Sequence, residues 1–335
     1  MALTYRNFQR ILTNKRILCN KKQFFKCIND EWNHRGFQYT LGLNEDTQQF
    51  NPTGLCNGGG LYFTSSNHVH KFLNYGQNIA EIELCRDALF YIESAPYFNK
   101  FKTNKFIIKS VKPASEEIYK LAVPEHSRTL YYVKTQTDEI CKLAVQQNGY
   151  ALYYVEKQTY EICKLAVQQE PFAVRYVKNQ TDEICKLAVQ QDGNAVQYVK
   201  NQTEEICKLA VQQEPFAVQY VKNQTDEICK LAVQQDGNAV QYVKNQTEEI
   251  CKLAVQQDGN AVQYVKNQTE EICKLAVQEN GNALRYVKNQ TDKICEVAVQ
   301  QNGDALMFVK NQTDKIRELA KKQKQQFNIF NQVLR

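Results

Sequence analysis

The chain has 335 residues, 43% of them hydrophobic and 23% charged, with a formal net charge of +6. That is long enough for two structural parts. The charge is segregated: residues 1–112 carry 15 Lys/Arg against 8 Asp/Glu, the tail from Arg317 carries 5 against 1, and the stretch between is mildly acidic. A continuous basic stripe for nucleic acid is thereby excluded, and so is a transmembrane helix, since no run of about 18 apolar residues occurs.

The first residues suit a short amphipathic helix, with Phe8, Ile11 and Leu12 in helical register followed by Ile17 and Leu18. They lack the uninterrupted apolar core of a signal peptide, so the expectation is a protein made and kept in a reducing cytosol. Phe37–Leu41 reads as extended, and the turn-rich segment after it ends in Gly58-Gly59-Gly60. Leu61–Thr64 reads as a strand, and Asn67 is placed to cap a short helix that stops at Gly76. Ile79–Leu84 alternates apolar and polar as a half-buried strand does, and Leu89–Ile92 and Phe106–Ile108 add two more. Together these predict a small α+β domain over residues 1–112.

Its candidate chemistry is thin. The triple glycine lacks the Lys-Ser/Thr of a phosphate-binding P-loop and reads as a tight turn feeding a strand. Cys56, His68, His70 and Cys85 match no common zinc spacing, so no metal is expected. The order Gly42-Leu43, then Gly58-Gly59-Gly60-Leu61-Tyr62-Phe63-Thr64, a short helix ending at Asn74-Tyr75, and the strand from Ile79 to Leu84 resembles part of the ADP-ribosyltransferase fold. That resemblance implies NAD or ADP-ribose around Gly58, Gly60 and Tyr62. It also implies a histidine on an early strand and a glutamate on a late one. The corresponding positions hold Lys26-Cys27 and Asn104-Lys105-Phe106 instead, and only Tyr62 matches. The resemblance therefore points to a catalytically silent copy: lysine where a carboxylate is required would repel a developing oxocarbenium ion. No catalytic residue and no cofactor is expected.

From residue 113 to residue 335 one 22-residue unit returns ten times, marked by Ile118, Ile140, Ile162, Ile184, Ile206, Ile228, Ile250, Ile272, Ile294 and Ile316. Such a fixed period means stacked repeats. In the unit Thr181–Gln202, Thr181 is an N-cap and Asp182 and Glu183 set negative charge against the positive helix end. Ile184, Leu187 and Ala188 form an apolar face that Cys185 and Val189 widen. Asp192-Gly193 reads as the hinge. Two units carry Glu170-Pro171 and Glu214-Pro215 there, which suits the first position of a second helix running to about Asn201. The prediction is an all-α solenoid of ten 22-residue helical hairpins, its ends capped by Tyr119 and Arg317 in place of the cysteine.

Eight of the twelve cysteines, Cys141 to Cys295, recur at one position per repeat and read as buried packing residues. Neighbouring helices about 8–10 Å apart are too distant for a disulfide ladder. The Asn-Gln-Thr sequon, from Asn179 to Asn311, reads as an accident of the helix-capping threonine. The 22-residue unit and the leader block with Gly59-Gly60-Leu61-Tyr62-Phe63-Thr64 resemble uncharacterised repeat proteins of giant DNA viruses of the mimivirus group. That likeness implies a viral protein in the host cytoplasm or the virion, with no assigned reaction. The functional expectation is a non-enzymatic scaffold that binds a protein partner, with no nucleic acid and no membrane. Its binding surface would be Lys186, Gln190, Gln197, Lys200, Asn201 and their counterparts every 22 residues.

Overall fold

The computed structural model describes residues 2–14, 23–34, 36–52, 59–93 and 100–333. They form two compact units, Met1–Gln169 and Glu170–Arg335.

The first unit begins with an α+β domain. Its strands are β1 (Leu3–Thr4), β2 (Phe24–Ile28), β3 (Asn33–His34), β4 (Phe37–Gln38), β5 (Gly42–Glu45), β6 (Leu61–Ser65), β7 (Asn78–Leu84), β8 (Leu89–Ile92), β9 (Lys100–Thr103) and β10 (Lys105–Pro113). Eight of them make one antiparallel sheet in the order β1-β8-β9-β6-β2-β7-β10-β5, while β3 and β4 form a separate pair. Side chains alternate across a sheet, and here both faces are covered. Helix α1 (Tyr5–Asn14) lays Phe8 on one face, stacked on Phe90 at 4.6 Å and edge-on to Phe101 at 5.5 Å. Phe24, Phe63 and Phe106 belong to the same core, with Ile28, Tyr39, Leu61 and Ile108 among its other members.

A ten-residue 3-10 helix, Ser66–Tyr75, covers the other face, where the Cys27 thiol meets the Val69 carbonyl at 3.5 Å. This element was expected as a helix capped by Asn67. It starts two residues earlier, behind Ser65, and makes no side-chain cap bond. Its end at Gly76 is as expected, and the reason is steric. A Cβ there would lie 2.0 Å from the backbone carbon of Ile28, at a φ of +159° that L side chains rarely adopt. The extended reading of Phe37–Leu41 narrows to the two residues of β4, and Phe106–Ile108 proves to be part of the nine-residue β10.

Three α-helices follow in the first unit: α2 (Glu116–Ala122), α3 (Asp138–Gln147) and α4 (Tyr160–Gln169). The second unit holds α5 (Asp182–Gln191), α6 (Glu204–Gln213), α7 (Asp226–Gln235), α8 (Glu248–Gln257), α9 (Glu270–Glu279), α10 (Asp292–Gln301) and α11 (Asp314–Val333). Between consecutive helices runs a six-residue 3-10 helix, as from Gly193 to Tyr198. The architecture is a sheet-bearing domain followed by a helical repeat array.

Within a repeat the caps behave as the sequence implies. Thr181 accepts the amide of Ile184 at 3.4 Å, and Asp192 accepts that of Asn194 at 2.9 Å. Proline occupies the first turn of the 3-10 helix at Pro171 and Pro215, although Glu170 and Glu214 before them make no side-chain cap bond. The second helix differs from expectation: it is 3-10 rather than α, and stops at Tyr198 rather than near Asn201. A segment this short collects few i→i−4 bonds, and 3-10 geometry is common in such short connecting pieces. Val199 then turns extended, and the amide of Lys200 goes to the Gln180 side chain instead of to a helical carbonyl.

Ile184, Cys185, Ala188, Val189, Ala195, Val196 and Val199 are buried between neighbours, whereas Leu187 is only half-buried. Each large aliphatic chain so buried contributes about 1.5–3 kcal/mol, which a short isolated hairpin could not collect. The ends are specialised. Tyr119 is buried and bonds the Tyr132 carbonyl at 3.3 Å, and Arg317 lies exposed beside Asp314 on a final helix of 20 residues, against ten in α5.

Candidate interaction surface

Each repeat presents two edges of opposite character. On the α-helix edge, acidic pairs such as Asp182-Glu183 are exposed at the helix N-terminus, where they meet the positive end of the helix dipole. Lys186 reaches across to the next repeat, its ammonium 2.8 Å from Glu205 Oε1, and Lys230–Glu249 and Lys252–Glu271 repeat the link at 2.8 and 2.9 Å. Gln190 stands exposed in the last turn of the same helix.

The 3-10 edge carries the other nominated residues, and most of them already have work. Gln197 Nε2 donates to the Asn194 carbonyl at 3.0 Å. Lys200 Nζ donates to the Lys178 carbonyl of the preceding repeat at 3.1 Å, and Lys222, Lys244 and Lys266 do the same to Lys200, Lys222 and Lys244 at 2.9, 3.1 and 3.1 Å. These ammonium groups, on residues that are themselves exposed, thus each have a backbone partner in the preceding repeat. Asn201 is exposed beside them. Tyr198, Tyr220, Tyr264 and Tyr286 line the same edge half-buried, and Tyr242 is exposed. Edge-on contacts fix two of these rings, Phe172 to Tyr198 at 5.9 Å and Phe216 to Tyr242 at 5.8 Å. From Gly193 to Tyr286 no carboxylate lies within the 3-10 segments themselves, and the acidic residues Glu214, Asp236 and Asp258 stand at their N-caps, so lysines and phenols line the far end of this edge.

The residue that sequence reasoning missed is the glutamine before each capping threonine. Gln202 Nε2 donates to the Val196 carbonyl of its own repeat at 2.9 Å and to the Tyr220 carbonyl of the next at 3.1 Å, while its Oε1 accepts the Lys222 amide at 2.8 Å. Gln180, Gln224, Gln246, Gln268 and Gln290 repeat this fork. The signal was its invariance within the chain's own repeats at a position that needs neither a cap nor an apolar face. The repeat cysteines are buried thiols outside any disulfide, and burial pushes those of Cys185, Cys229 and Cys273 up to about 11.

In the sheet domain, Gly58 and Cys56 lie outside the described residues. The Gly60 amide donates to Asp46 Oδ2 at 2.6 Å, and a Cβ on Gly60 would meet the Lys102 side chain at 2.7 Å. A carboxylate thus holds the place a phosphate would take on that turn. Tyr62 lies beneath Lys100 (4.2 Å) and Lys102 (5.2 Å) and walls a cavity of about 50 Å3 together with Phe25, His34, Phe72 and Tyr75.

That cavity opens where β2 and β6 part: they pair only through Phe24–Ser65 and Phe25–Thr64, whereas β2 pairs with β7 over five residues. Lys26 bridges the gap, its ammonium 3.0 Å from the Tyr62 carbonyl and 4.7 Å from the Tyr39 ring, and burial lowers its pKa to about 8. Burial likewise pushes the neighbouring Cys27 thiol up to about 12. At the late position Asn104 accepts the Leu89 amide at 2.7 Å, Lys105 pairs with Asp87 at 2.7 Å, and Phe106 is core. Among the described residues, no group of three or more His, Cys, Asp or Glu could hold a metal ion, and no helix is long and apolar enough to cross a membrane.

Three stretches, residues 137–181, 225–269 and 247–291, match the family described as "Domain of unknown function (DUF4116)". Each begins and ends on a capping threonine two repeats apart, so the family unit spans a pair of these repeats. The chain is also similar to proteins of Acanthamoeba polyphaga mimivirus. A "Putative ankyrin repeat protein" is 43% identical over 65 residues, 19% of this chain and 32% of the relative. An "Uncharacterized protein" is 40% identical over 65 residues, 19% and 47%. A second "Putative ankyrin repeat protein" is 35% identical over 85 residues, 25% and 26%. The matches thus cover less than half of each of these relatives. No solved structure matches the chain.

Proposed function

We propose that this chain is a non-enzymatic protein-interaction scaffold of a giant virus, acting in the host cytoplasm or the virion and binding a protein partner through the polar outer surface of its repeats. The observation that carries this reading is the column on the 3-10 edge, where Lys200, Lys222, Lys244 and Lys266 each donate to a carbonyl of the preceding repeat beside a line of tyrosines. Side chains ordered before contact lose less entropy on binding, and tyrosine combines apolar area with a polar tip, which is why interfaces favour it. Asn201 adds an exposed amide beside this column, and Gln190 adds another on the α-helix edge. The viral relatives with repeat-protein names support the same reading. The test compares affinity capture by the full chain with capture by a variant carrying Asn→Asp at Asn201, Asn223, Asn245 and Asn267. A partner lost in the variant supports a role for this edge. Identical capture by both proteins removes it.

A second reading is ligand binding in the sheet domain, with NAD or ADP-ribose as the candidates. The rings around Tyr62 favour it, while a cavity of about 50 Å3 and the occupied amide of Gly60 weigh against it. Calorimetry of the full chain with each compound decides, absence of heat removing the reading.

A further inference from the structure

A second concavity lies between the 3-10 helix of the sheet domain and the first repeat, both within the first unit. It is an open cleft of about 370 Å3 lined by Lys71, Asn74, His126, Arg128, Thr129 and Tyr132. Every one of these six side chains can donate a hydrogen bond, and none is a carboxylate. Lys71 and Asn74 come from the 3-10 helix Ser66–Tyr75, and the other four from the turn and 3-10 segment after α2.

The carboxylate nearest in sequence is Glu125, and both its oxygens are committed: Oε1 lies 3.2 Å from His70 Nε2, and Oε2 lies 3.2 Å from Lys71 Nζ. That pairing ties the first repeat to the 3-10 helix and holds Lys71 at the rim. It offsets one positive charge of the group. Arg128 makes no ion pair with a carboxylate among the described residues, and His126 likewise. Thr129 is buried at 5% exposure and sits in the cleft wall. The group comprises Lys71, Arg128, His70, His126 and one carboxylate, so it carries net positive charge whether or not the histidines are protonated.

We infer that this cleft binds the phosphate group of a small phosphate monoester, with Arg128 and Lys71 as the charged contacts and His126, Thr129, Asn74 and Tyr132 as further donors. A carboxylate offers two oxygens and one charge. A phosphate monoester offers three acceptor oxygens and nearly two charges, which matches the number and charge of the donors better. The guanidinium of Arg128 suits two of those oxygens at once, and the Lys71 ammonium acts as a point charge. At about 370 Å3 the cleft has room for the organic group that carries the phosphate as well. The inference is independent of the repeat surface and of the cavity at Tyr62.

The test is calorimetry of the full chain at pH 7 with inorganic phosphate, phenyl phosphate and benzoate. The expected result is that phenyl phosphate binds at least about tenfold tighter than benzoate, the size of effect a charge-assisted contact gives. Inorganic phosphate binding as tightly as phenyl phosphate makes the free ion the ligand of the same site. Arg128→Gln and Lys71→Gln should each weaken phenyl phosphate by at least about tenfold, and Arg128→Lys should restore part of the loss. Arg128 is exposed and unpaired with a carboxylate among the described residues, and in Lys71→Gln the His70–Glu125 contact still ties the two segments, so circular dichroism should match the unsubstituted chain. No heat with either phosphate probe, benzoate binding as tightly, or unchanged affinity in both glutamine variants would overturn the inference.

Discussion

Gln202 Nε2 lies 3.1 Å from the carbonyl oxygen of Tyr220, eighteen residues on and one repeat further along the array. The same nitrogen holds the Val196 carbonyl, and the carbonyl of the same side chain holds the Lys222 amide, so one side chain closes three backbone groups around a seam between repeats. Removing it leaves the Tyr220 carbonyl and the Lys222 amide without that partner, and the Val196 carbonyl with the Val199 amide alone. Gln202→Ala should therefore destabilise the second unit by about 2–4 kcal/mol, on the scale of two or three net hydrogen bonds. Gln202→Glu should cost at least as much, since it keeps the shape and the acceptor but loses both donors. Urea unfolding followed by circular dichroism checks both. A loss below about 0.5 kcal/mol in each variant would show that the fork is not structural.

What the sequence made plain in the repeats is what one repeat decides alone. Thr181 as cap, the buried stripe from Ile184 to Val189, and proline at the start of the second helix depend on near neighbours in the chain, and all three stand in the structure. What it hid depends on stacking. Lys200 looks like a free surface lysine until the carbonyl of Lys178 is seen under it, and Gln202 has no visible task until Tyr220 arrives from the next repeat. The sheet domain was harder to read for a related reason. Strands β2 and β9 contain Lys26 and Lys102, both buried, which breaks the apolar alternation that marks a strand. The amide of Gly60 was a candidate phosphate donor until Asp46, fourteen residues earlier, was found to occupy it.

The repeat thiols should be chemically quiet in the folded chain. Cys185, Cys229 and Cys273 are 2–3% exposed, and burial lifts their pKa from 9 to about 11. The thiolate is the reactive form, so at pH 8 each should alkylate roughly a hundredfold more slowly in the folded protein than in denaturant. Iodoacetamide labelling with peptide mass spectrometry reads this site by site. Labelling at the unfolded rate would mean that these cysteines are reached from solvent and are not packing residues.

Lys26 makes a pH-dependent prediction. Burial lowers its pKa from 10.5 in the open chain to about 8 in the fold. Below pH 8 it is charged in both states and the fold bears the full desolvation cost. As pH rises from about 8 towards 10.5, the unfolded chain keeps a proton that the folded one has released, so this group's contribution to stability improves with pH. Lys26→Met should therefore stabilise the first unit at pH 7, by about 1–3 kcal/mol after the lost bond to the Tyr62 carbonyl is counted. That advantage should shrink through the window and be gone near pH 10.5. Melting temperatures of both proteins at pH 7 and pH 10 check it, and equal gaps at the two values would refute the account.

The last prediction concerns how closely repeats approach. A Cβ on Gly237 would lie 2.3 Å from the Ala254 carbonyl oxygen and 3.1 Å from the Asp258 amide, both in the next repeat. Its φ is not in the left-handed region, so alanine is acceptable to the backbone and the cost is purely one of stacking. Gly237→Ala should therefore destabilise the second unit by about 1–3 kcal/mol, the usual range for overpacking. The chain itself offers the control, because Glu214-Pro215-Phe216 starts a 3-10 helix of the same length where other repeats carry Asp-Gly-Asn. In that setting the proline presets φ and Phe216 adds an edge contact to Tyr242 at 5.8 Å. Replacing Asp236-Gly237-Asn238 by Glu-Pro-Phe as a block should consequently cost less than Gly237→Ala alone. Urea midpoints of the two variants decide: if the block is the worse of the two, the side chains around each hinge, and not the hinge itself, set the spacing of the stack.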